Sequence, residues 1–194
     1  MAYLTKNQRH EEISKLAMQI ALDEGLSAIT ARHIAAKGSF AIGQIHHHFQ
    51  SISQLKALAL HKVSDDLMTQ AEQNYINISI PEQLINIISP IEGEMGSMMR
   101  KLWSEAVFLA ERDNEIKKAY KQSIEEWHQA IVKLINQGKK QNIFNTPIPT
   151  ETAWELIALS CGFDNIAVIE EFRFEKHIIK NCIYRILQIN PPLI

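Results

Sequence analysis

The chain has 194 residues, 46% of them hydrophobic and 22% charged, with a net charge of −2. This supports a real core in one or two small domains and excludes a disordered chain. No run of about 18 apolar residues is present, so no membrane-spanning helix is expected, and the opening MAYLTKNQRHEE lacks an apolar signal core.

In chain order, Thr5 and Gln8 match a capping box that starts a helix by satisfying two free N–H groups reciprocally. Ile13, Leu16, Ala17, Ile20 and Ala21 then recur at helical spacing, and Gly25 suits the C-terminal stop. Thr30 can cap a second, short helix whose inner face carries Ile34 and Ala35. Lys37-Gly38-Ser39 interrupts the pattern, and Gly38 is expected to supply the unusual backbone angles of a turn. A third helix is expected from Ala41 to His48, with Ile45 and Phe49 inward and Gln44, His46 and His47 outward. Two helices about a sharp turn, the second with a polar outer face, form a helix-turn-helix, whose second helix fits the DNA major groove. Residues 1–52 are expected to be the DNA-binding domain and 53–194 a ligand-binding and dimerisation domain.

Ser51 and Gln54 form another capping box, opening a helix to Asn74 with Leu55, Leu58, Ala59, Val63 and Leu67 inward. After a connection from Tyr75, the Ser79–Glu82 stretch starts a helix with Leu84, Ile85, Ile87 and Ile88 as core, broken at Ser89-Pro90. Ile91 to Ala110 is helical with irregular first turns at Gly93 and Gly96. Asp113 caps a long helix from Asn114 to Lys140, in the register Ile116, Tyr120, Ile124, Trp127, Ile131, Leu134. NTPIP (145–149) is a loop. Thr150 is expected to cap a helix with Trp154, Ile157, Ala158 and Cys161 on one face, and the last helix to run from Phe174 to Ile189 and stop at Pro191-Pro192. The class is all-α, about nine helices, with no strand-like alternation. Ile178, Ile179, Cys182, Ile183, Ile186 and Leu187 make a stripe wider than one packing surface needs, so one face can pack internally and the other against a second copy.

The order T-x3-IA-x8-G-x-I-x-HHF, carried by Thr30, Ile34, Ala35, Gly43, Ile45, His47, His48 and Phe49 with Ser51 and Leu55 following, resembles the DNA-binding domain of the TetR family of bacterial repressors. Arg9, Ala17 and Gly25 also stand where that family usually has an Arg, an Ala and a Gly, and the match covers about the first 60 residues. The resemblance implies a homodimer through a four-helix bundle of the last two helices. Departures are Ser39 and Ala41 at the turn, His46 where a Tyr is common, and Ile42 and Ile52 where lysines that touch phosphates are common. GQIHHHF followed by S-x-x-x-LK is similar to the subset that represses efflux pumps for cationic biocides and polyamines.

Charge distribution agrees in sign. Residues 1–60 hold six basic and four acidic side chains and five of the eight histidines, leaving the remainder acidic. Gln44 and His46 are the candidates for base readout, and Thr30, Arg32, His47 and Lys56 for phosphates. Protonated histidines at the interface would strengthen DNA binding as pH falls from about 7.5 to 6. The His46-His47-His48 run is not a metal site, since successive helix residues point about 100° apart. No cofactor is expected.

Large adaptable side chains beside carboxylates suggest a cavity for a lipophilic or polyamine-like cation: Glu94, Met98, Trp103, Phe108, Trp127, Phe163 and Asp164, with Met95, Met99, Glu92, Glu105 and Glu126 in the same segments. No GxGxxG, P-loop, GxSxG or HExxH occurs, so no enzyme is expected. Cys161 and Cys182, with no CxxC, fit free thiols in a reducing cytoplasm. The leading reading is a ligand-responsive repressor released from a palindromic double-stranded operator. A TetR-like regulator without a small-molecule ligand, or an all-α enzyme, are the alternatives.

Overall fold

The computed structural model describes residues 5–75, 77–169 and 175–189. Among them are nine α-helices, one 3-10 turn and no strand: α1 (Lys6–Asp23), the 3-10 turn (Leu26–Ala28), α2 (Ala31–Gly38), α3 (Ile42–His48), α4 (Ile52–Tyr75), α5 (Ile80–Ile88), α6 (Gly93–Ala110), α7 (Asn114–Lys140), α8 (Pro149–Ile166) and α9 (Lys176–Ile186). Met1–Leu4 of the opening stretch, Ile76 of the connection, Phe174 at the expected start of the last helix and its stop at Pro191-Pro192 lie outside the described residues. The chain divides into two compact units, Met1–Leu67 with Gly93–Ser123, and Met68–Glu92 with Ile124–Ile194. The division falls inside α4 and inside α7.

The first unit is built on α1. Thr5 Oγ1 accepts the Gln8 N–H at 3.3 Å and Gln8 Oε1 accepts the Thr5 N–H at 2.8 Å, so the expected capping box forms. Ile13, Ala17 and Ile20 are fully buried against Leu26, Ile34, Ile45, Leu55, Leu60 and Leu102. Each large aliphatic side chain contributes about 1.5–3 kcal/mol by leaving water. Ser14 shares this buried register because its hydroxyl donates to the His10 carbonyl one turn back, at 2.8 Å. Gly25 ends the helix at φ +97°, where any Cβ would also strike the Glu105 carboxylate.

The second unit packs α5, the later part of α7, α8 and α9 around Leu84, Ile88, Ile131, Ile135, Leu156, Ile183 and Leu187. Phe144 folds back over Gly138, leaving no room for a Cβ there. Lys139 Nζ donates to the carbonyls of Thr146, at 2.5 Å, and Pro147, at 3.3 Å, which holds the loop before α8.

Four local expectations are corrected. The left-handed residue of the turn after α2 is Ser39, at φ 54° and ψ 38°, while Gly38 is the last residue of the helix. Gly38 is needed instead for space, because a Cβ there would overlap the Phe40 ring. At α4 the Ser51 hydroxyl accepts the Gln54 N–H as expected, but Gln54 reaches back to the N–H of Gln50, at 2.9 Å. Thr150 does not cap α8. Pro149 opens its first turn with Ile148 as the N-cap, and Thr152 closes that end by donating to the Ile148 carbonyl at 3.0 Å. The buried face of α8 is Thr152, Ala153, Leu156, Ile157 and Ser160, so Trp154 and Ala158 face solvent. Thr152 can be buried because its hydroxyl also pairs with that of Thr146.

Candidate nucleic-acid interface

The helix pair α2–α3 has a closed inner face and an open outer one. Thr30 Oγ1 accepts the His33 N–H at 3.1 Å and starts α2, whose Ile34 and Ala35 are buried. Ser39 turns the chain through its left-handed conformation, and Phe40 N–H closes the turn on the Ala35 carbonyl at 3.0 Å. α3 then lies on Ile45, fully buried, and Phe49. Ala41 has no side-chain acceptor for the free N–H groups of α3. Gln44 supplies half of a cap from within, its Oε1 accepting the Ala41 N–H at 3.1 Å.

Gln44, His46 and His47 are all exposed on α3, with Ile42, 47% exposed, at its start. Arg32 is exposed on α2. Thr30 is exposed, though its hydroxyl is already engaged as a cap. Lys56 is half-buried in the first turns of α4, where its charge acts on Asp113. Burial alone would raise the Asp113 pKa. The Ser53 hydroxyl, the N–H groups of Ile116 and Glu115, and the Lys56 charge together hold it below the ordinary value. Asp113 therefore caps α7, as expected, and ties it to α4.

Two further ties steady the helix-turn-helix. Glu24 at the end of α1 takes Lys37 Nζ at 2.5 Å and His33 Nε2 at 3.0 Å, pinning both turns of α2, and its pKa is lowered by Lys37 first and His33 second. Glu105 of α6, grouped in the sequence with the cavity acids, instead accepts the Ser27 N–H at 2.8 Å. His10 belongs to this packing too, although it is not among the candidates the sequence suggests. Its ring stacks on Phe49 with centroids 4.4 Å apart, and it stands three residues before Ile13 on the buried stripe of α1, which was the available signal.

The expected cavity residues are divided between the units. In the first, Glu94 is exposed, Met98 half-buried, Trp103 meets Tyr120 edge-on at 5.6 Å, and Phe108 is 55% exposed beneath the Arg112 guanidinium at 4.9 Å. In the second, Trp127 and Phe163 are half-buried at the edge of the core and Asp164 is half-buried near Cys161, whose pKa is raised first by burial and then by the Asp164 charge. Among the described residues no group of three or more His, Cys, Asp or Glu side chains is placed to hold a metal ion, and no helix is long and apolar enough to cross a membrane.

No family model and no curated protein matches this chain in sequence. Solved structures do match in fold. A TetR-family transcriptional regulator from Cytophaga hutchinsonii superposes with a TM-score of 0.80 at 15% identity, covering 99% of this chain and 100% of its own. A TetR transcription regulator from Haloarcula marismortui gives 0.76 at 14% identity, covering 94% and 97%. A protein from Saccharomonospora viridis, solved in complex with choline, gives 0.75 at 18% identity, covering 94% and 96%. The chain has the all-α fold of the TetR-family transcriptional regulators.

Proposed function

We propose that this protein is a cytoplasmic, homodimeric DNA-binding regulator that represses transcription from a palindromic operator and is released by a small cationic ligand. The observation that carries it is the α2–α3 pair: a buried apolar inner face behind an outer face of Gln44, His46 and His47. The second helix of such a pair enters the major groove, where Gln44 and His46 read base edges while Thr30, Arg32, His47 and Lys56 hold phosphates. A dimer sets two such helices roughly 34 Å apart, one turn of DNA.

The apolar positions left open on α8 and α9 support the dimer. Trp154, Ile166 and Ile178 are exposed large hydrophobics in helices of the second unit. The aromatic, methionine and carboxylate side chains that share the same sequence segments support a cationic effector, and choline, carried by the Saccharomonospora viridis neighbour, is itself a quaternary ammonium ion. The ligand must bind the DNA-incompetent state better, since equal binding to both states shifts nothing.

The test is a fluorescence anisotropy titration against the DNA upstream of the protein's own gene, at two salt concentrations. Spermidine and a quaternary ammonium compound are the additives. Saturable binding that salt weakens and a cation reverses is the expected result. Binding that no cation reverses removes the effector class. Absence of binding there and to a random-site library removes the regulator reading.

A further inference from the structure

The exposed histidines of α3 and the inward one differ in kind. His48, in the last turn of α3, is half-buried, and its Nδ1 is shut off from solvent without a hydrogen-bond partner among the described residues. Its ring lies 6.1 Å from that of His10 on α1, which stacks on Phe49, and 5.4 Å from His47, which meets it edge-on. The charged and titratable groups acting on it are His47 from its own helix and His10, Lys6 and Arg9 from α1. A proton on Nδ1 would therefore have no acceptor among the described residues, and the Lys6 and Arg9 charges would oppose it.

We propose that His48 is a proton-sensitive latch between α1 and the recognition helix: neutral, it packs α3 onto α1; protonated, it loosens α3. Burial first, and then the charges of His47, His10, Lys6 and Arg9, hold its pKa below the ordinary histidine value. The sign follows. The unfolded or undocked ring takes a proton more readily than the docked one, so docking is fully stable above the ordinary pKa of 6.5 and weakens as pH falls through it toward the lowered pKa. This is the opposite of the effect expected for His46 and His47, whose protonation adds charge toward phosphates. The latch stands on the packing alone, and its consequence for DNA rests on the function proposed above.

The full-length protein is followed by histidine NMR and amide hydrogen exchange from about pH 7.5 to 5.5. The exchange of α3 amides, corrected for intrinsic rate and referred to those of α7, should quicken by up to about tenfold as His48 titrates. In His48→Gln that ratio should stay flat. Unchanged α3 protection while His48 titrates, or the same quickening in His48→Gln, overturns the latch. The wild-type titration decides the matter by itself should the variant fail to fold. Quickened α3 exchange in a protein that binds no operator at either pH keeps the latch and removes the regulator reading.

Discussion

The helix-turn-helix and the last two helices solve the same problem differently. Around α1, α2 and α3 the large apolar side chains are inside, and the outer surface of α3 is a polar tool face behind Ile42. On α8 and just after it, Trp154, Ile166, Val168 and Ile169 are exposed, Val168 by 64%, although the buried side of that helix is already complete. A helix with apolar residues left over after its own core is filled has a second surface to cover. Under the proposed function, the first region would meet a charged polymer and the second a copy of this chain.

The largest effect should come from opening the closed region. Ile45→Ala removes a fully buried anchor of α3 and should cost about 2–5 kcal/mol, read as a lower urea midpoint. A cost near zero would mean that α3 is not held by its core. Next comes the open region. Trp154→Glu should leave each protomer folded but weaken dimerisation at least about thirtyfold, or about 2 kcal/mol, by sedimentation. A variant that stays fully dimeric at nanomolar concentration would erase the contrast.

Smaller changes sharpen it. Thr30→Ala should cost about 1 kcal/mol through loss of the α2 cap, measured by thermal unfolding. The gentlest is acid titration of the Glu24 tie. Its carboxyl is held below the ordinary value of 4.5 by Lys37 and His33, so its contribution is present above that value and lost as pH falls through the lowered one. Glu24→Gln should flatten that acid limb of the stability–pH curve. An unchanged slope would show that Lys37 and His33 do not grip α2 through it.

Legibility in the sequence followed how local the cause was. Thr30, Ile34, Ile45 and Phe49 act within one or two turns, so spacing alone placed α2 and α3. The role of Gly38 was misread because its constraint is the Phe40 ring, a matter of space and not of backbone angle. α8 was misread because polar Thr152 and Ser160 are inside while Trp154 stacks on His128, at 4.3 Å, outside the core. A hydrophobic count cannot tell which of two apolar sides faces its own core. The tie from Glu105 to Ser27 spans 78 residues, beyond any periodicity. Of the interface, the candidate side chains on α3 and the capping role of Thr30 were visible, but the bond that already occupies Gln44 was not.

The half-cap at the start of α3 bears on which bases that helix would prefer under the proposed function. With Gln44 Oε1 bonded to the Ala41 N–H, the amide keeps Nε2 as its remaining group, a hydrogen donor. A donor alone suits acceptor edges: the N7 of either purine, guanine O6 or thymine O4. The two-point grip on adenine needs the oxygen as well, so making it unties the first turn of α3, at about 0.5–1 kcal/mol. Ala41→Ser would give the helix a hydroxyl cap of its own and free the amide to turn. If α3 reads bases as proposed, its preference should then shift toward adenine at one operator position, with no change in any residue proposed to touch a base.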